Sequence, residues 1–112
     1  MKSISFLAAL MLTMFGLNAN SADKKIVFVA GKQSHGPGEH EHRAGCLLLK
    51  KCLENVRGVT SLVYTNGWPQ DPDAAFKDAA TIVIYSDGGG GHPFLDGDRL
   101  STIGKLMKKG VG

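Results

Sequence analysis

Three of the chain's four histidines fall within eight residues, at His35, His40 and His42, in the run Ser34-His35-Gly36-Pro37-Gly38-Glu39-His40-Glu41-His42-Arg43. Two carboxylates, Glu39 and Glu41, are interleaved with them. Imidazoles and carboxylates ligate zinc and related divalent metals. They also serve as general acids and bases near neutral pH. Gly36, Pro37 and Gly38 allow a folded loop that turns several of these groups inward. The spacing matches no established metal motif. His40 and His42 are two residues apart; on a helix they would point about 200° from one another, so they suit an extended segment better. The competing reading is a solvated polar loop in which Glu39 and Glu41 favour the positive end of the helix that follows.

A second run, Ser86-Asp87-Gly88-Gly89-Gly90-Gly91-His92-Pro93, holds four consecutive glycines between a carboxylate and the fourth histidine. Such a backbone can approach a ligand closely and present its N–H groups, suiting a phosphate, a carboxylate or sugar hydroxyls. It is neither a P-loop nor a dinucleotide fingerprint, since no Gly-Lys-Ser/Thr follows and no G-x-G-x-x-G opens a helix. A plain strand-to-helix connection is the alternative. A third segment, Tyr64-Thr65-Asn66-Gly67-Trp68-Pro69, offers Trp68 either as a platform for a sugar ring or as an anchor packing a turn onto the domain. No nucleophile stands out, because no Gly-x-Ser-x-Gly or Gly-x-Cys-x-Gly elbow is present.

These runs are carried by an alternation of strands and helices. Residues 26–30 (Ile-Val-Phe-Val-Ala) form a solid apolar run of the kind found in strands buried on both faces of a parallel sheet. A helix is expected over 41–57, with Ala44, Leu48, Cys52 and Val56 as its buried row, Leu49 and Leu53 beside it, and Gly58 just past its end. A second strand is expected over 59–65. Asp71-Pro72 reads as an N-cap with proline in the first turn of a short helix ending near Ala80. A third strand is expected over 81–85, and a third helix over 96–109 with Leu100, Ile103, Leu106 and Met107 inward. Val111-Gly112 reads as the entry to a fourth strand.

The order β-α-β-α-β-α implies a parallel sheet with right-handed crossovers. In a flavodoxin-like order of 2-1-3, the first and third strands are neighbours. Both suggestive loops would then leave the carboxyl ends of adjacent strands at the switch point, where open α/β sheets bind ligands. The histidine run and the glycine run are therefore expected to converge, with His35, Glu41 or His42 within about 10 Å of Asp87 or His92.

The chain has 112 residues, with 13 Lys and Arg against 10 Asp and Glu. The positives are dispersed apart from Lys105, Lys108 and Lys109, a pattern that excludes a nucleic-acid or membrane surface as the main function. Residues 1–22 carry Lys2, a mostly apolar stretch over 4–17 and small residues at Ala19, Ser21 and Ala22, the pattern of a secretory signal peptide. That apolar stretch is shorter than the roughly 20 residues that cross a bilayer. Residues 23–112 then make one small domain working in the periplasm or outside the cell. Cys46 and Cys52 are six apart on the expected helix, about 9 Å in rise, whereas a disulfide needs Cα atoms within about 7 Å. Two buried free thiols are expected.

The strand over 25–31, the run Ser34 to Cys46, the Tyr64-Thr65-Asn66-Gly67-Trp68-Pro69 segment, the Asp87-Gly88-Gly89-Gly90-Gly91-His92-Pro93 loop and Leu106-Met107-Lys108-Lys109-Gly110-Val111-Gly112 together resemble ThuA-like (trehalose utilisation) domains. The resemblance spans essentially all of 23–112. It implies a class I glutamine-amidotransferase-like fold, a relative of the flavodoxin-like arrangement, and a link to sugar metabolism. It maps the family's candidate site onto the histidine and glycine loops. Family domains run to roughly twice this length, within the usual range for one domain, so the chain reads as the N-terminal part of such a domain. The nucleophile of the amidotransferase relatives would lie beyond residue 112.

The resulting expectation is an exported carbohydrate-processing domain. His35, His40, Glu41, His42, Asp87 and His92 are its acid/base candidates, with His35, His40, His42 and His92 as possible ligands of a divalent metal. Ser34, Gly36, Trp68, Gly88, Gly89, Gly90 and Gly91 are the candidates for holding substrate. The rival readings are a non-catalytic sugar-binding module and an inactive fragment. A small carbohydrate is the expected partner, with no nucleic acid, no membrane after signal cleavage, and self-association through an exposed sheet edge.

Overall fold

The computed structural model describes residues 23–112; the leader assigned to 1–22 lies outside them. Three parallel strands, β1 (Lys24–Ala30), β2 (Val59–Tyr64) and β3 (Ala79–Tyr85), pair in the order β2-β1-β3. Helices α1 (His42–Leu53), α2 (Pro72–Phe76) and α3 (Arg99–Lys108) connect or follow them. The chain is thus α/β with the expected flavodoxin-like 2-1-3 order. Among the described residues, no helix is long and apolar enough to cross a membrane.

β1 sits in the middle, and Val27 to Ala30 are all buried. Because successive side chains alternate between faces, β1 feeds two cores. Val27 and Val29 pack with Ala75 and Phe76 of α2, Ala79 and Ile82 of β3 and Ile103 and Leu106 of α3. Phe28 and Ala30 pack with Cys46 and Leu53 of α1 and with Val63 and Val83. Burying a side chain such as Val27 stabilises the fold by roughly 1.5–3 kcal/mol.

Four local expectations are corrected. First, α1 is shorter, and its row Ala44, Leu48, Cys52, Val56 faces solvent, Leu48 being 64% exposed. The buried positions are His42 and Cys46, with Leu53 half-buried a further seven residues along. The rotation follows from docking: a Cβ on Gly45 would stand 2.6 Å from the Tyr85 ring, so only a residue without a side chain lets α1 lie against the end of β3 in this orientation. Second, Cys52 is consequently an exposed thiol, while Cys46 is buried. Third, α2 ends at Phe76 instead of near Ala80. Asp78 takes a left-handed conformation (φ 57°), and Ala79 already pairs with β1. The expected cap is present: Asp71 accepts the Ala74 N–H at 3.0 Å, with Pro72 next in line. Fourth, α3 starts at Arg99 and buries a narrower stripe than expected. Ile103 and Leu106 face the core, but Leu100 is 55% and Met107 64% exposed.

α3 closes with the Val111 N–H donating to the Leu106 carbonyl and Gly110 in the left-handed region, a Schellman end with Leu106 and Val111 both against the core. Gly112 then donates to the Ala80 carbonyl, and its own carbonyl accepts the Ile82 N–H. That is the ladder of a parallel strand meeting the outer edge of β3, at the place where strand entry was expected.

Candidate functional site

At the carboxyl ends of the strands the chain is tied together by backbone. The Gly31 N–H donates to the Tyr85 carbonyl at 2.8 Å, and the Gly67 N–H to the Ala30 carbonyl at 2.7 Å. Gly31 is required by this closure: a Cβ there would lie 2.6 Å from Ser86 Cβ and 3.2 Å from His42 Nδ1. The β1 and β3 loops therefore leave the sheet nearly in contact, and the residues just after them must meet.

Asp87 is the meeting point. Its Oδ1 lies 2.6 Å from His40 Nδ1 and 3.5 Å from His42 Nε2. The imidazole of His35 packs edge-on against that of His40, with ring centroids 4.1 Å apart. Three of the candidates, His35, His40 and Asp87, each offer a donor atom within 4.8 Å of the others, a set able to hold a metal ion. The histidine run and the start of the glycine loop thus converge across the β1/β3 crevice.

The two histidines nearest Asp87 are held differently. His42 is the first residue of α1 and is 3% exposed. Its Nδ1 lies 3.3 Å from the Lys32 carbonyl; a carbonyl can only accept, so Nδ1 carries a proton, while Nε2 lies 3.5 Å from Asp87 Oδ1. The ring also packs edge-on with Tyr85 at 4.9 Å. His40 precedes the helix, is 52% exposed, and sits in the left-handed region at φ 46°. Non-glycine residues rarely adopt that conformation, although histidine does so more readily than most. Strain of this kind gathers at functional sites. Being outside the helix also lets His40 and His42 face the same carboxylate.

Asp87 itself is 29% exposed. The Ser34 hydroxyl facing it does most to hold its carboxyl below the ordinary carboxylate range, followed by the hydrogen bond and charge of His40 and the charge of His42; partial desolvation opposes them. Asp87 is thus anionic throughout the neutral range.

The carboxylates of the first loop are engaged with its own backbone. Glu41 accepts the Gly38 N–H at 2.8 Å, and Glu39 accepts the Gly36 N–H at 3.3 Å. Glu41 is the N-cap residue of α1, at its positive end, but its side chain makes no capping hydrogen bond to the helix. Glu39 and Glu41 both line a cleft of about 290 Å³ beside the imidazoles, together with Gln33, Arg43, Thr65 and Asn66. None of those last four was a named site candidate, although Arg43, Thr65 and Asn66 lie in the runs quoted above. Thr65 and Asn66 follow directly on β2, beside β1, so their place at a strand's carboxyl end was the available signal.

The rest of the glycine loop goes elsewhere. Gly89–Gly91 form one turn of 3-10 helix and Pro93–Leu95 another. Gly88 to Gly91 are all exposed, and a Cβ on any of them would meet nothing within 4 Å. His92 Nδ1 accepts the Phe94 N–H at 3.2 Å, which caps the second turn. Trp68 is gripped by aromatic and cationic neighbours: Phe76 and Phe94 pack edge-on at 5.2 and 5.5 Å, and the Arg99 guanidinium lies 5.5 Å from its ring. Together with Lys32, Gly90 and Gly91, His92 and Trp68 line a separate hollow of about 170 Å³. A further cavity of about 450 Å³ lies between α2 and α3 and has no histidine in its lining.

No protein-family model, curated protein or solved structure matches this chain.

Proposed function

We propose that the β1/β3 crevice binds and processes a small polyhydroxylated molecule of the carbohydrate class, with Asp87 and His40 as its proton-transfer pair. The observation carrying this reading is the Asp87 carboxylate, 2.6 Å from His40 and 3.5 Å from the buried His42, beside a cleft lined by Gln33, Glu39, Thr65 and Asn66. A lining so rich in amide, hydroxyl and carboxylate groups matches the alternating donors and acceptors of sugar hydroxyls. A carboxylate that fixes and polarises an imidazole is the standard arrangement for passing a proton to or from a hydroxyl oxygen. The ThuA-like motifs in the sequence support the same substrate class. The leader over 1–22 supports export to the periplasm or beyond, where such substrates would be met.

A second reading, binding without turnover, draws on the openness of the crevice: His40 is 52% exposed, whereas catalytic proton transfers gain from the exclusion of water. Both readings are tested by titrating the chain with neutral mono- and disaccharides, following binding by ligand-observed NMR and turnover by chromatography of the same samples. Saturable binding that drops at least about 10-fold in Asp87→Asn and His40→Gly is expected; glycine is chosen at position 40 because it accommodates the left-handed backbone. Product formation selects processing over binding. Absence of saturable binding by any saccharide would overturn both.

A further inference from the structure

We propose that His35, His40 and Asp87 form a binding site for one divalent first-row transition metal ion, best suited to Zn²⁺, with the buried His42 positioning Asp87. The inference rests on the crevice being the functional site; with the ion bound, His40 and Asp87 are its ligands, and their proton-transfer role belongs to the ion-free site.

The first argument is the donor set. Two imidazoles and one carboxylate offer atoms within 4.8 Å of one another, and His40 of this set also lines the neighbouring cleft. Three protein ligands with room for a solvent or substrate oxygen is the composition of a catalytic zinc site, as opposed to a closed structural one. Mixed nitrogen and oxygen donors select first-row transition ions over Mg²⁺ or Ca²⁺, which prefer all-oxygen shells.

The second argument is independent and comes from His42. This ring is 3% exposed, and its Nδ1–H is committed to the Lys32 carbonyl. Its Nε2 lies 3.5 Å from Asp87 Oδ1, so the buried ring holds the carboxylate from the core side and fixes where the two exposed imidazoles meet it. Metal-ligating carboxylates are characteristically held by such a further partner.

The third argument concerns what the ion displaces. The 2.6 Å contact between His40 Nδ1 and Asp87 Oδ1 is occupied by a proton. An ion replacing that proton requires the two atoms to separate by about 0.7 Å to reach tetrahedral spacing. Position 40 lies in an exposed loop ahead of α1, so this opening does not disturb the sheet. Gln33, Thr65 and Asn66 then line the side of the cleft from which a hydroxylated ligand would approach.

The test is titration of the full chain with Zn²⁺ by calorimetry, and with Co²⁺ by visible absorption, after stripping with chelator. The expected result is one ion per chain, with Co²⁺ giving the intense bands of a four-coordinate site. His35→Ala and Asp87→Asn should weaken binding at least about 10–100-fold, whereas His92→Ala should stay within about 2-fold. His35 is exposed, so its removal tests ligation without threatening the fold. The proposal is overturned if binding is absent or not one-to-one, if His35→Ala and Asp87→Asn bind like the parent, or if His92→Ala abolishes binding. Saccharide titration with Zn²⁺ and with chelator separates this claim from the functional reading. Sugar binding without any metal binding defeats the ion alone. Metal binding without any sugar binding defeats the carbohydrate reading alone.

Discussion

The two ends of the loop from Ser86 to Pro93 began with equal claims on function and are put to different uses. Asp87, one residue past Ser86, is brought into the crevice and shared between His40 and His42. His92, five residues further on, caps a 3-10 turn and packs beside Phe94 and Trp68. The difference lies in distance from the strand. Asp87 inherits its position from β3, whose end is fixed to β1 by the Gly31–Tyr85 hydrogen bond. Each glycine after it adds freedom, so the chain's later course is decided by where the next apolar groups pack. Pro93 and Phe94 pack near Trp68, and His92 goes with them. A reactive side chain next to a strand end is placed by the sheet; the same side chain beyond a glycine run is placed by whatever hydrophobic anchor follows.

The sharpest way to break this comparison is to remove each end in turn. Asp87→Asn keeps the shape of the side chain but loses its charge, and it should lower ligand binding or turnover by about 100-fold, as loss of a charge-assisted pair at a reacting centre does. His92→Ala should change the same measurement by less than about 2-fold while lowering the melting temperature slightly. Comparable losses in the two variants would mean that the glycine loop acts as one unit.

Next in size is Gly31→Ala. Its Cβ would stand 2.6 Å from Ser86 Cβ and 2.9 Å from Ser86 Cα, and backbone cannot swing aside as a flexible side chain can. Overpacking of this kind should destabilise by about 1–3 kcal/mol in denaturant titration. It should also separate the β1 and β3 loops and weaken Asp87-dependent binding in parallel. A variant with parental stability and binding would show that the two loops are not held together there.

Much of this arrangement was legible beforehand. Apolar runs at Ile26 to Ala30 and Thr81 to Tyr85, with helical stretches between them, sufficed for the strand order. The strand order in turn brought the histidine run to Asp87. Side-chain periodicity was less informative on α1, where Leu47, Leu48 and Leu49 make the helix apolar over a wide arc. The face it buries was chosen by Gly45 meeting the Tyr85 ring and by His42 entering the site, tertiary facts with no trace in periodicity. Likewise the Lys32 carbonyl, which sets the tautomer of His42, is backbone and has no residue signature. The exit of His92 was hidden because four glycines leave the direction of a loop undetermined.

A smaller effect separates the thiols along the same helix. Burial pushes the Cys46 thiol above its ordinary value, whereas Cys52 is exposed. In the native state an alkylating reagent should modify Cys52 at the rate of a free peptide thiol and leave Cys46 largely unmodified until the chain unfolds. Equal native rates would return α1 to the orientation expected from its apolar row.

The smallest effect is on acid stability. Asp87 is held below the ordinary carboxylate value near 3.9 by Ser34, His40 and His42. Its stabilising contribution is therefore complete above about pH 3.9 and is lost as pH falls through its lower folded value. The difference in melting temperature between the parent and Asp87→Asn should shrink as pH falls below that point. A difference that stayed the same down to the acid limit would contradict the assignment of Asp87 as the titrating group.

The most direct test of the account follows the four imidazoles by ¹H–¹⁵N NMR while a binding saccharide is added together with Zn²⁺. The account predicts large shifts for His35, His40 and His42 that saturate together, with His92 unmoved. Shifts confined to His92, with His40 and His42 unchanged, would contradict it.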